Sequence, residues 1–153
     1  MTPHPQLIRH DPANGLYGDC QRTCVAVILD IHPSEVPHFC DDPTATRDND
    51  QWWAKRQAAW LADRGMSMTT IAYSGDCSLD QVMLWTSKQN PTTPMLLLGQ
   101  SSLGCNHVVV VLDGAIVCDP SGNGIIGPAI EGVWEVSVIS VGSNWHTAKG
   151  FYS

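Results

Sequence analysis

A run of apolar residues at helical spacing begins at residue 20. The positions i, i+4, i+7, i+8 and i+11 are occupied by Cys20, Cys24, Val27, Ile28 and Ile31. These positions share one face of an α-helix. Pro33 ends the pattern, and Asp19 stands where an N-cap carboxylate would accept from the first-turn amides. We therefore predict an amphipathic helix from residue 19 to about residue 31.

Two more helices follow from pattern and capping signals. The second is predicted from about residue 50 to residue 64, where Gly65 would stop it. The third opens at Ser78 with Gln81 three residues later, which is a capping box, and ends before Pro91.

The remaining apolar segments have the composition of β-strands. They lie at residues 68–73, 95–98, 107–112, 115–118 and 133–141. Asp113-Gly114 between the third and fourth segments predicts a tight hairpin. Helices followed mainly by antiparallel strands predict an α+β fold, and the length favours a single domain over residues 1–153.

Charge and hydropathy exclude several function classes. The formal net charge is −7, and the eight Lys and Arg residues are scattered, so we expect no nucleic-acid partner. No apolar run approaches the roughly 20 residues that span a bilayer, so we expect no membrane partner. The first residues lack the basic and apolar regions of a signal peptide, and we expect a cytoplasmic protein.

Six cysteines allow three kinds of chemistry. Without a signal peptide, reduced thiols are favoured over a disulfide framework. A structural zinc site is disfavoured because Cys-x-x-Cys is absent, and no second close pair completes Cys20 and Cys24. We therefore expect no metal and no cofactor, which leaves nucleophilic catalysis as the functional alternative to inert thiols.

Cys20 is the favoured nucleophile because of its position. The positive end of the helix dipole favours a thiolate there, so the pKa should fall and alkylation should be fast at mildly acidic pH. Cys24, one turn deeper on the apolar face, has the position of a small hydrophobic residue. Asp19 would raise the thiol pKa unless its carboxylate is occupied. An inert thiol at a capped helix start is the alternative.

His107 and Asp119 lie at the two outer ends of the predicted hairpin, where an Asp can orient an imidazole. A structural His beside an apolar strand is the alternative. The two side chains must share one face of the hairpin to meet. A three-residue loop pairing Val111 with Ala115 satisfies this condition, as does a bulge elsewhere; a regular two-residue turn does not.

Asn14 lies six residues before Cys20 and has two roles of about equal weight: a donor in an oxyanion hole, or a side chain that caps its own loop. The remaining histidines have no partner at a predictable position and are assigned to loops or the surface; they are His4, His10, His32, His38 and His146.

As a set and in this order, these motifs resemble the papain-like cysteine peptidase superfamily, most closely the C39 bacteriocin-processing group. The matching residues are Asp19-Cys20 with Cys24, His107-Val108-Val109-Val110, and Asp119-Pro120. The chain departs from that pattern at Gln21, where Gly is usual, and at Asn14, where Gln is usual.

The wider string from residue 18 to residue 24 is also similar to small uncharacterised proteins from phages and bacteria, as are Val36-Pro37-His38-Phe39 and Trp52-Trp53. The superfamily resemblance implies a helix carrying the Cys packed on an antiparallel sheet carrying the His and Asp.

The sequence hypothesis is a cysteine hydrolase, either a peptidase or an amidase. Cys20 would attack an amide of a peptide-like substrate, His107 would carry the proton and Asp119 would orient the imidazole. The alternative is a papain-like protein that transfers the acyl group to an amine, or that binds a protein partner without catalysis.

Overall fold

The computed structural model describes residues 1–142 and has an α+β fold, as predicted. In chain order its elements are α1 (Cys20–Leu29), α2 (Trp53–Ala62), β1 (Met66–Ser74), α3 (Leu79–Gln89), β2 (Met95–Gln100), β3 (Asn106–Leu112), β4 (Ala115–Cys118) and β5 (Val133–Val141). Short 3₁₀ turns lie at Pro12–Asn14 and Pro33–Glu35. Among the residues considered from the sequence, His146 and Lys149 lie outside the described part.

The five strands form one antiparallel sheet in the order β1-β5-β2-β3-β4. All five strand predictions are confirmed in place; β1 extends beyond both predicted ends, β2 beyond its predicted end, and β3 begins one residue earlier than predicted. β3 lies between β2 and β4, and its apolar residues from Val108 to Val111 are buried on both faces of the sheet because helices pack on each face.

The helices cover both faces of this sheet. On one face, α1 packs against β3 through Cys24, Val27 and Val110, and α2 joins the same cluster through Trp53 and Trp60. On the other face, the core consists of Val82 and Met83 from α3 with Leu97, Val109, Val111, Trp134 and Val136 from the strands. The first helix therefore lies directly on the strand that begins with Asn106 and His107.

The helix ends match the sequence predictions to different degrees. The capping box of α3 is confirmed, since Ser78 and Gln81 exchange side-chain and backbone hydrogen bonds. The start of α2 was predicted near residue 50, but the helix begins at Trp53 because Asn49 instead accepts from the Gln51 N–H in a turn. The Asp19 side chain does not cap α1.

A buried amide pair joins α1 to α2 at the residue that follows Cys20. Nε2 of Gln21 donates to Oε1 of Gln57 (2.7 Å), and the Gln57 amide donates to the sulfur of Met68 (3.1 Å). Both glutamines are buried. Gln21, the departure from the family pattern, thus serves helix packing, because a buried amide is costly without a partner.

The described helices include none whose length and apolar character suffice to cross a membrane.

Candidate functional site

The hairpin between β3 and β4 places His107 and Asp119 on one face by means of a bulge. Its turn has two residues, Asp113 (φ 49°) and Gly114 (φ 78°), with Leu112 paired to Ala115. Positive φ at both positions is the type I′ geometry. The three-residue register with Val111 opposite Ala115 is therefore wrong.

The bulge restores the alternation that the two-residue turn alone would break. Ile116 is opposite Val111, but Cys118 is opposite Val110, so Val117 is the extra residue of β4. One extra residue shifts all following side chains to the other face. Asp119 consequently shares the face of His107, which is the alternative condition set by the sequence.

The two side chains make a short hydrogen bond. Nε2 of His107 and Oδ1 of Asp119 are 2.7 Å apart, and the hydroxyl of Ser121 lies 2.9 Å from the same nitrogen. His107 is only 4% exposed. With Nε2 engaged by the carboxylate, Nδ1 is the imidazole nitrogen left without a hydrogen-bond partner among residues 1–142.

Asp119 is also the anchor of the loop that follows it. Its carboxylate accepts from the backbone N–H groups of Ser121 (3.2 Å), Gly122 (3.0 Å) and Gly124 (2.8 Å). Burial acts to raise the pKa of Asp119, but the hydrogen bonds from His107, Gly124 and Gly122 outweigh it and hold that pKa below its ordinary value. The carboxylate is therefore ionised at neutral pH and orients the imidazole.

Cys20 is the first residue of α1 and is partly buried, whereas Cys24 is fully buried. Both thiols contact the backbone of Val108, the residue after His107. The Cys24 thiol donates to the Val108 carbonyl (3.3 Å), and the Val108 N–H acts on the Cys20 sulfur to lower its pKa. Cys24 is thus a packing residue, and the Cys20 sulfur lies against the strand that carries the imidazole.

The strand pleat separates the faces to which the thiol and the imidazole belong. Val108 and Val110 face α1, whereas His107 alternates with them and has the orientation of Val109 and Val111. No hydrogen bond joins Cys20 to His107 within residues 1–142. Both side chains nevertheless line one cavity at the end of β3.

The prediction of a lowered pKa for Cys20 is wrong. Burial raises the pKa of this thiol to about 11; hydrogen bonds from the Val108 and Gln21 N–H groups oppose the rise, and Asp19 and Cys105 add to it. Loss of solvation of the anion thus outweighs the benefit of the helix start. At neutral pH the resting thiol is protonated.

We expect the alkylation of Cys20 to follow this raised pKa. With iodoacetamide and peptide mapping, its rate should rise about tenfold per pH unit from pH 7 to pH 10, because only the thiolate reacts. N-acetylcysteine amide, a thiol with an ordinary pKa and no carboxylate, should level off above about pH 9 under the same conditions. A rate at Cys20 that is already constant between pH 6 and pH 8 would contradict the raised pKa and indicate a stable thiolate.

Asp19 holds the N-terminal segment against the helix start. Its carboxylate is 1% exposed, accepts from the Ile8 N–H (2.9 Å) and forms an ion pair with Arg22 (2.8 Å). On the far side of the segment, the N–H of Gln6 donates to the carbonyl of Pro120 (3.0 Å). The segment therefore bridges the start of α1 and the loop after Asp119.

The cavity between these elements has a volume of about 440 Å³. Cys20 and His107 line it together with the N-terminal rim, which consists of Pro5, Gln6, Arg9 and His10. The opposite wall includes Ser101, Leu103, Cys105, Asn106, Ser121 and Asn123. A cavity bordered by a thiol and an imidazole has the parts for acyl transfer.

Most of this wall was missed from the sequence. His10 was assigned to a loop or the surface, Arg9 was counted only among the scattered basic residues, and neither Gln6 nor Ser121 was given a role at the site. The rim contacts Asp19 and Pro120, which are distant in sequence, and no local pattern signals such docking. For Ser121 a signal existed, since Asp followed by Pro-Ser-Gly is typical of a turn in which the Asp side chain accepts from later amides.

Asn14 is not brought to the thiol. It lies in the exposed 3₁₀ turn and donates from Nδ2 to the Asp11 carboxylate (2.7 Å), and it is not among the residues that line the cavity. This is the geometry of the loop-capping alternative.

All six cysteines are free thiols. Residues 1–142 contain no group of three or more His, Cys, Asp and Glu side chains arranged to hold a metal ion.

Compared with family models, with curated proteins and with solved structures, the chain gives no significant match in any of the three.

Proposed function

We propose that the protein is a papain-like cysteine hydrolase that cleaves amide bonds through an acyl-thioester on Cys20. The observation that carries the proposal is the 2.7 Å contact of His107 with Asp119 at a cavity that Cys20 also lines. The order of the three residues in the chain and the packing of α1 on β3 support it. The substrate is a peptide or another amide-containing molecule.

The proposed reaction starts from a neutral thiol and a neutral imidazole. His107 accepts the Cys20 proton at Nδ1 while the sulfur bonds to the amide carbonyl carbon. The imidazolium, stabilised by Asp119, then protonates the departing amine as the carbon–nitrogen bond breaks. A water molecule, deprotonated by His107, attacks the thioester and releases the acid and the thiol.

The oxyanion would be stabilised by amides other than Asn14. The Asp19 side chain leaves the first-turn N–H groups of α1 uncapped. The backbone N–H of Cys20 belongs to the same residue as the attacking sulfur and so is available to the oxyanion. The Gln6 side chain lines the cavity and has no hydrogen-bond partner among residues 1–142. In the proposed mechanism its carboxamide contributes a second donor.

A non-catalytic binding protein is the second candidate, and the raised pKa of Cys20 favours it. In that case the cavity would hold a segment of a partner protein and the thiol would stay protonated throughout. The two candidates differ in whether incubation changes a covalent bond.

A peptide library tests the proposal. Tryptic peptides with blocked N-termini are incubated with the protein in H₂¹⁸O, and new termini are identified by mass spectrometry. Hydrolysis produces free amines and one ¹⁸O in each new carboxyl group; transfer to an added amine produces a new amide without ¹⁸O. Protein alkylated beforehand at Cys20 is the control. Binding of library peptides with no new termini would contradict the proposal and support the binding protein.

A further inference from the structure

One side of the cavity carries positive charge without any compensating acid. Among residues 1–142, Arg9 is the only Lys or Arg that lines it, and no Asp or Glu does. The whole chain has a formal net charge of −7, so this distribution is the opposite of the average surface. Arg9 is exposed and makes no ion pair within residues 1–142.

His10, next to Arg9, adds an oriented hydrogen-bond donor. Its Nδ1 accepts from the Gly18 N–H (3.2 Å), so in the neutral ring the hydrogen resides on Nε2. The Nε2–H has no acceptor among residues 1–142, and His10 also lines the cavity. The ring and the guanidinium thus present donors without acceptors at one rim.

This rim is fixed relative to Cys20. The backbone N–H of Ile8 is bonded to Asp19, the residue before Cys20, and the Asp19 N–H returns a bond to the Ile8 carbonyl (3.3 Å). Gln6 is fixed on the other side by Pro120. The backbone that carries Arg9 and His10 is therefore anchored on both sides beside the thiol, as a substrate-binding subsite requires.

We propose that Arg9, assisted by the Nε2–H of His10, binds a carboxylate of the substrate next to the amide that Cys20 attacks. Arginine suits this role because its planar donors match a carboxylate. The inference rests on the proposed function and assigns its substrate class, a peptide with a carboxylate near the cleaved bond. The carboxylate is either an acidic side chain or the chain terminus.

Alkylation of Cys20 tests the subsite without requiring turnover. Iodoacetate carries a carboxylate and iodoacetamide is its neutral analogue. Their rate ratio at Cys20 is measured at pH 9 in low salt. Dividing it by the ratio for N-acetylcysteine amide, a reference thiol without a carboxylate, removes the intrinsic difference between the reagents. We expect a value of roughly two to ten in favour of the anion, falling toward one in 0.5 M NaCl.

Variants at Arg9 and at Lys88 distinguish an effect of the cavity rim from an effect of the protein's net charge. Arg9→Gln should abolish the preference and Arg9→Lys should retain part of it. Lys88→Gln, which removes the same charge from an exposed site on α3, should leave the preference unchanged. A ratio of one or less in the wild type, or equal losses in Arg9→Gln and Lys88→Gln, would overturn the inference.

Chloroacetyl peptides separate the two sources of the carboxylate. Chloroacetyl-Ala-Glu-amide should alkylate Cys20 faster than chloroacetyl-Ala-Gln-amide if the subsite binds a side chain, and chloroacetyl-Ala-Gln with a free carboxyl should be fastest if it binds a terminus. Equal rates for all three would overturn the inference. If the protein prefers anions but never cleaves an amide, the proposed function is contradicted while the anion subsite is supported.

Discussion

Cys20→Ala should reduce turnover by about 10⁴-fold or more, because the covalent intermediate has no other thiol at the helix start. Cys24→Ala should keep turnover per folded molecule within a few-fold, since its sulfur only bonds the Val108 carbonyl in the core. Initial rates on a peptide from the library screen give both values.

Cys20→Ser separates the chemistry from the structural contact. The hydroxyl is close to the thiol in size and polarity but is a much weaker nucleophile, so this variant should fold like the wild type and remain inactive. Full activity in Cys20→Ala, or loss of activity only in Cys24→Ala, would show that Cys20 is not the nucleophile.

Asp119→Asn should slow turnover about 10²–10⁴-fold, the range expected when the acid of a triad is neutralised. The same substitution should cost stability, about 1–3 kcal/mol, because one side-chain oxygen becomes an NH₂ group facing backbone or imidazole donors. Turnover is therefore measured per folded molecule, at a temperature well below the melting temperature of the variant.

The pH dependence of stability isolates the charge of Asp119. Its folded-state pKa is lowered, so its contribution is complete above the unfolded-state pKa of about 3.9 and is lost as pH falls through the folded-state value. In Asp119→Asn the melting temperature should change less with pH below pH 4 than in the wild type. Asp113→Asn, the same change at the hairpin turn and at the opposite end of β3 from the imidazole, is the control for turnover and should leave the rate unchanged. Normal turnover in Asp119→Asn would show a purely structural carboxylate.

Local patterns predicted the elements of this fold well. The capping box at Ser78 and the strands around Asp113-Gly114 depend on neighbouring residues only, and both are where the sequence placed them. The pairing of His107 with Asp119 was predicted as a geometric condition with two solutions. The sequence did not select between them, because no Gly or other signal marks Val117 as the bulge.

The remaining features of the site depend on contacts distant in sequence. The pKa of Cys20 was misjudged from its helix position, since the burial that raises it results from packing of α1 on β3. Asp19 was expected to cap the helix, but its carboxylate is used by Ile8 and Arg22. The rim with Arg9 and His10 follows from that tertiary contact, which single-residue propensities do not encode.

Direct detection of an acyl group on Cys20 is the most informative measurement. The acyl part of a cleaved peptide, supplied as a p-nitrophenyl ester so that thioester hydrolysis limits the rate, is mixed with the protein and quenched in acid during turnover. Peptide mapping should find the acyl mass on Cys20, removable by hydroxylamine and absent in Cys20→Ser. Steady peptide hydrolysis with Cys20 unmodified at every quench time would contradict covalent catalysis by this thiol.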